Sequence, residues 1–130
     1  MTKMTKKIRW LVLFLMVSCI RQLFAESLDL QITKNNPFKP SAGQTVEFKF
    51  KSLDNDRTLN LRVYTLSGEL VKEWPAEVVS KGTDKVITWD GKNSDGRIVT
   101  RGVYLVNLSG TSDNTNDNKN ITKKVFVVSK

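Results

Sequence analysis

Strict alternation of apolar and polar residues is the feature of this chain that most constrains its fold. The stretch TVEFKFK, residues 45–51, places valine or phenylalanine at every second position, with glutamate or lysine between them. Successive side chains of a β-strand point to opposite faces of a sheet, so this pattern buries one face and exposes the other. The stretch therefore predicts a β-strand with one buried face.

Similar stretches recur after residue 25, separated by turn-forming segments such as NNPFKPSAG, DNDR and SG. Seven segments have the composition of strands: SLDLQIT, TVEFKFK, TLNLRVYTL, ELVKEW, KVITW, GVYLVNLS and ITKKVFVVSK. No segment has a convincing helical period. Short strands with turn signals about every 8 to 12 residues predict an all-β fold, an immunoglobulin-like β-sandwich of about seven antiparallel strands.

Four segments carry more local expectations. Residues 125–128 are apolar on both faces, which predicts a central strand for the end of the chain. Residues 75–84 are expected to form an irregular connection, and residues 110–120, rich in Asn and Asp, a mobile hairpin tip. Phe38, between two prolines, is expected to close the core as a lid, with a docking contact for a partner as the alternative.

The first 25 residues have the pattern of a secretory signal peptide. Four positive charges precede a short apolar run, which is the order of an n-region and an h-region. The run is about half as long as the roughly 20 residues that span a bilayer, so a permanent membrane helix is the weaker interpretation. Cleavage after Ala25 would leave residues 26–130 as the mature domain.

A bacterial lipobox at residues 16–19 is the alternative processing site. Residues 1–18 would then be the leader, and Cys19 would carry a lipid that anchors the protein to a membrane. Cys19 is the sole cysteine of the chain, so the exported domain is expected to have no disulfide and to depend on its core alone.

The net charge of +8 comes largely from the first 25 residues. Removing their five Lys and Arg leaves 16 basic and 13 acidic residues, a net charge of +3. This is an ordinary surface without a long basic stripe, which argues against nucleic acid as a partner.

The stretch WDGKNSDGRIVTRGVY, residues 89–104, is the strongest candidate for a site. Counted as a calcium loop from Asp90, it has Lys92 at the third position and Arg101 at the twelfth, where oxygen ligands are required. Turn chemistry explains the residues better, because Asp and Asn bond to nearby backbone N–H groups and glycine adopts positive φ. We therefore expect no metal and a structural corner built from Trp89, Asp90, Gly91, Asn93, Gly96, Gly102, Val103 and Tyr104.

Two aromatic residues of this corner have expected partners. Trp89 is expected to fill the sandwich interior, with its indole N–H bonded to a local acceptor. Tyr104 is expected to bond its hydroxyl to the corner backbone, as in a tyrosine corner. The chain has no histidine and no evident general base beside a nucleophile. No catalytic residue, no cofactor and no enzymatic activity are therefore expected.

The ordered blocks NPFKP, LRVYTLSGELVKEW, WDGKNSDGRIVTRGVYLVNLSG and KKVFVVSK resemble the Ig-like domain of the flagellar hook-capping protein and the extracellular protease Vpr, the FlgD/Vpr-type Ig-like domain. More loosely, they are similar to the C-terminal sorting domains of type IX secretion cargo. The resemblance implies an exported module for protein–protein interaction, adhesion or assembly at the bacterial cell envelope. Contact would be made through loop tips or a sheet edge, with an unknown protein partner. A sorting domain and a flagellar hook-assembly accessory are the alternatives.

Overall fold

A computed structural model describes residues 26–112 and 117–129 of the chain. Both leader interpretations, including Cys19, concern residues outside this part. The described residues form eight strands and one 3₁₀ turn, Pro40–Ala42. The strands are β1 (Leu28–Lys34), β2 (Val46–Ser52), β3 (Arg57–Thr65), β4 (Leu70–Glu73), β5 (Glu77–Val79), β6 (Lys85–Trp89), β7 (Gly102–Thr111) and β8 (Asn118–Val127).

The strands pair into two antiparallel sheets. One has the order β1-β2-β6, and the other has the order β4-β3-β7-β8, with β5 also pairing with β3. β4 pairs with the end of β3 and β5 with its beginning, so the two short strands follow one another along the same edge. The all-β sandwich is confirmed, and the connection at residues 75–84 contains one strand, β5, that its sequence did not indicate.

Alternation places the core between the two sheets. In β2 and β3 every second side chain is buried, and the intervening ones are partly exposed. Phe38 is also fully buried, so the expectation that it closes the core is confirmed. The buried apolar side chains are Leu28, Leu30, Phe38, Val46, Phe48, Phe50, Leu59, Leu61, Val63, Val71, Val79, Trp89, Tyr104, Val106, Leu108, Val125 and Val127.

The prediction of a central closing strand is wrong, because β8 lies at the edge of its sheet and pairs only with β7. Val125 and Val127 point into the core, whereas Phe126 and Val128 are each 42% exposed. The loop before β2 covers this end of the edge: Phe38 N–H donates to Phe126 O, and Val128 N–H donates to Phe38 O, both at 3.0 Å. A loop therefore takes the place of the neighbouring strand that the two-sided apolar pattern suggested.

The described residues contain no helix that is long and apolar enough to cross a membrane.

Candidate functional site

Trp89 is the last residue of β6 and is only 1% exposed. Its ring lies between two other aromatic rings, with centroid distances of 5.5 Å to Phe38 and 6.0 Å to Tyr104. The indole N–H donates to Lys92 O at 2.9 Å, so the buried ring leaves no unpaired donor. Trp89 thus joins the core to the first turn of the loop at residues 90–101, which we call the corner loop.

Gly91 is required by the backbone and by its surroundings. Its φ is 76°, a region that residues with a Cβ rarely adopt. A Cβ at this position would lie 2.3 Å from Pro40 Cγ. Beside it, Asp90 Oδ1 accepts the N–H of Lys92 at 3.0 Å, and this bond closes the turn.

Asn93 organises the second turn of the corner loop. Its Oδ1 accepts the N–H groups of Asp95 and Arg97, both at 3.0 Å. Gly96, with φ of 78°, lies inside this turn, and Lys92 and Ile98 pair across it in a β-bridge. Two of the oxygens that suggested a cation site, Asp90 Oδ1 and Asn93 Oδ1, therefore bind the backbone of their own loop. No group of three or more acidic, Cys or His side chains converges anywhere within residues 26–112 and 117–129.

Hydrogen bonds connect the corner loop to two strands of the larger sheet, β4 and β7. Ser94 donates to Val71 O of β4 through its N–H, at 3.0 Å, and through its hydroxyl, at 3.2 Å. At the other end, the hydroxyl of Tyr104 donates to Thr100 O at 2.7 Å. Gly102 opens β7, and Val103 follows it on the outer face of the sheet, opposite Phe126.

A groove runs between the corner loop and the turn that joins β3 to β4. It consists of two adjoining hollows of about 340 and 400 Å³ that share Thr65, Thr100 and Tyr104. Three apolar side chains line it and remain exposed: Leu66 at 63%, Leu70 at 50% and Ile98 at 51%. We call this surface the end groove. Sequence reasoning singled out the loop but missed these three residues, because only the fold brings the two turns together.

Charge at the end groove is mainly positive. Arg97 and Arg101 contribute guanidinium groups and Glu69 a carboxylate. Neither arginine forms an ion pair with a carboxylate of the part of the chain described by the structure. The groove therefore combines an apolar floor with two arginines available to a partner.

The opposite end of the sandwich holds a buried charge that the sequence reasoning missed. Arg57 is 1% exposed, and its guanidinium contacts the Asp54 carboxylate at 2.9 Å and the Asp117 carboxylate at 3.2 Å. Hydrogen bonds from Arg57 hold the pKa of Asp54 well below its usual range, and the hydrogen bond to Asp54 raises the pKa of Arg57. The clue was its position, two residues before the inward-facing Leu59 in an alternating strand.

Comparisons with known proteins agree with this architecture. The family model described as the FlgD Ig-like domain matches residues 35–114, which is more than half of the chain. PorU from Porphyromonas gingivalis is 20% identical, with a TM-score of 0.61, over 79% of this chain and 9% of PorU. FlgD from P. aeruginosa is 16% identical, with a TM-score of 0.51, over 75% of this chain and 66% of FlgD.

PorZ, a bacterial surface component of the type-IX secretion system of P. gingivalis, is 19% identical, with a TM-score of 0.46, over 78% of this chain and 11% of PorZ. This chain thus spans about a tenth of the length of PorZ and of PorU. No curated protein matches it. The two sheets, the tyrosine-bonded corner and the family match over residues 35–114 lead to one conclusion: the chain belongs to the FlgD Ig-like domain family.

Proposed function

We propose that this protein is an exported, non-enzymatic Ig-like module that binds another protein at the bacterial cell envelope, in adhesion or assembly. The observation that carries the proposal is the end groove, where Leu66, Leu70 and Ile98 stay exposed beside two arginines. Apolar groups exposed together and rimmed by polar residues are typical of protein-binding surfaces.

The end groove is a better binding surface than the sheet edges. β5 and β6 span three and five residues, which is short for pairing with a partner strand. β8 is longer, but it carries Lys119, Lys123 and Lys124, and the loop around Phe38 covers its final residues. Lysines and covering loops are devices that protect edge strands from pairing. The edges at β5, β6 and β8 thus resist strand addition, whereas the groove is open.

The chemistry of the groove defines the partner. Apolar side chains of the partner would pack against Leu70 and Ile98 in these hollows. Carboxylates next to those side chains would pair with Arg97 and Arg101, since guanidinium groups bind carboxylates in a bidentate manner. We therefore propose as partner a protein segment with apolar anchors and acidic neighbours.

A role without catalysis is supported by the residues of the corner. Oδ1 of Asp90 and Oδ1 of Asn93 each accept backbone N–H groups of their own loop. The whole chain has no histidine to serve as a general base. The end groove therefore offers contact surface and charge, which are the requirements of binding.

Site-specific photocrosslinking in the native host tests the proposal. A photoreactive amino acid is placed in the full chain at Leu70 or Ile98, and at Val78 as the control. Val78 is 72% exposed and lies on β5 at the opposite end of the sandwich. We expect a protein adduct from both groove positions and none from Val78.

Charge reversal then separates binding from simple proximity. Arg101→Glu should reduce the yield of the groove adducts severalfold, whereas Lys81→Glu, an exposed site at the other end of the molecule, should leave it unchanged. Equal adducts from Val78 and the groove positions, no adduct at all, or equal effects of the two charge reversals would each disprove the proposal.

A further inference from the structure

The outer face of the larger sheet carries a second surface of unusual composition. Strand register places nine outward-facing residues side by side in three rows across β3, β7 and β8. We call this surface the amide face. Its rows are Thr58-Thr111-Asn118, Asn60-Ser109-Asn120 and Arg62-Asn107-Thr122. Eight of the nine side chains are uncharged hydrogen-bonding groups, and four of those are asparagine.

Asparagine has a low preference for β-strands. It is among the residues depleted in sheets, where measured preferences span about 1 kcal/mol, and exposed strand positions favour Thr, Val and aromatic residues. Four asparagines nevertheless share one face of three adjacent strands: Asn60, Asn107, Asn118 and Asn120. Four asparagines on one face lower the stability of the sheet, so stability does not explain their presence and binding is the alternative.

A shallow groove of about 380 Å³ runs along this face. Its volume lies within the range of about 300–1,000 Å³ that is common for small-ligand sites. None of its eight lining residues is charged, although 26% of the chain is charged and about two charged residues would be expected. Tyr64 and Leu105 form its apolar part, and Asn107, Ser109, Asn118, Asn120 and Thr122 supply amides and hydroxyls.

The asparagines that line the groove can form hydrogen bonds beyond those that the fold uses. Asn60 is not one of them, because it donates to Trp74 O at 3.1 Å and its Oδ1 is buried out of reach of a ligand. Asn107 donates to Thr122 Oγ1 at 2.9 Å, and this bond fixes the orientation of its amide. Asn118 and Asn120 are exposed, and each amide can accept at its oxygen and donate twice at its nitrogen.

We propose that the amide face is a binding site for a neutral glycan. Sugar hydroxyls both donate and accept, and side-chain amides match both functions within one planar group. The ring of Tyr64 supplies a flat apolar surface for the C–H face of a sugar, and its hydroxyl supplies a polar tip. None of the residues lining the groove is a cation, and the nearby Arg62 is already paired with Glu73 at 3.3 Å, so the lining offers no charged partner to an anionic ligand. Its apolar part, Tyr64 and Leu105, is smaller than the apolar centre of a typical protein interface.

Titration of the ¹⁵N-labelled full chain with neutral hexasaccharides tests this assignment by NMR. The probes are maltohexaose, cellohexaose, laminarihexaose, mannohexaose and chitohexaose, with an oligogalacturonate as the anionic comparison. We expect at least one neutral probe to shift the side-chain amide signals of Asn107, Asn118 and Asn120, with a dissociation constant of about 1 mM or tighter. The oligogalacturonate should leave these signals in place.

A pair of matched variants makes the test specific. Asn120→Asp removes the amide donors with little change of shape and should weaken binding at least about fivefold. Gln31→Glu makes the same chemical change at an exposed position on β1 of the other sheet and should leave binding unchanged. A dispersed spectrum shows that each variant is folded. The assignment is overturned if no neutral probe shifts the three signals, if the oligogalacturonate binds as well, or if both variants bind like the wild type.

Discussion

Replacing Arg57 with methionine keeps most of the apolar stem but removes a guanidinium that has no exposure to solvent. The guanidinium donates to Asp117 O at 2.9 Å and to Gly110 O at 3.2 Å, and it pairs with the carboxylate of Asp54. Through these bonds Arg57 fastens the end of β7 and the residue just before β8 to the beginning of β3. The variant would leave two carbonyl oxygens without their charged donor.

The size of the effect follows from burial. Breaking a buried ion pair by removing one partner typically costs about 3–5 kcal/mol. The carboxylates of Asp54 and Asp117 are 35% and 36% exposed, so water solvates them again and the loss lies at the lower end. We expect the free energy of unfolding at pH 7 to fall by about 3 kcal/mol, a large share of the 5–15 kcal/mol of a typical domain.

Urea denaturation followed by tryptophan fluorescence measures this loss, with Arg62→Met as the matched control. Arg62 pairs with Glu73 at 3.3 Å, but its side chain is 37% exposed, so its removal should change the free energy of unfolding by about 0.5 kcal/mol or less. If Arg57→Met loses no more free energy of unfolding than Arg62→Met, the buried cluster does not stabilise the fold.

The same comparison has a defined pH dependence. The pKa of Asp54 is lower in the folded than in the unfolded protein, chiefly because Arg57 donates hydrogen bonds to its carboxylate. The stabilisation is therefore complete above the unfolded pKa of about 3.9 and is lost as the pH falls from there toward the folded value. The difference between wild type and Arg57→Met should thus narrow below about pH 4. A constant difference between pH 7 and pH 3 would refute the role of the Asp54 carboxylate.

Three further outcomes are expected. Gly91→Ala should lower the free energy of unfolding by about 2 kcal/mol more than Gly96→Ala, because both glycines have positive φ but only Gly91 is in contact with Pro40; equal losses in urea denaturation would contradict this. Tyr104→Phe should lose about 1 kcal/mol with its hydrogen bond to the corner loop, and a melting curve equal to that of the wild type would contradict it. N-terminal sequencing of the exported protein should begin at residue 26, and Cys19→Ala should leave its fractionation unchanged, whereas a lipid on Cys19 would show that the lipobox is used.

The sequence predicted much of the sandwich because alternation is a local signal. In β2 and β3 every second side chain is buried, as the apolar spacing indicated. The position of β8 could not be predicted in the same way, because an apolar run does not distinguish a neighbouring strand from a covering loop. Here the loop around Phe38 bonds to the backbone of residues 126 and 128.

The sites were harder to predict because they depend on register and charge burial. Arginine is rarely buried, so composition alone assigns Arg57 to the surface, and only its two carboxylate partners explain its position. Asn60 lies more than 40 residues before Asn107 and Asn120 in the sequence and joins them on one face only through the pairing of β3 with β7. Such long-range pairing has no local signature.

The corner loop connects the architecture of this domain with its proposed role. Oδ1 of Asp90 and Oδ1 of Asn93 accept hydrogen bonds from the loop backbone. Ser94 and Tyr104 bind the loop to the sheet. A loop held in this way loses little conformational entropy when a partner binds, which favours affinity. Among the side chains with which the loop lines the end groove, Ile98 is the exposed apolar one, and Arg97 and Arg101 are the charged ones. The residues that make the corner rigid therefore also determine which groups the end groove can present.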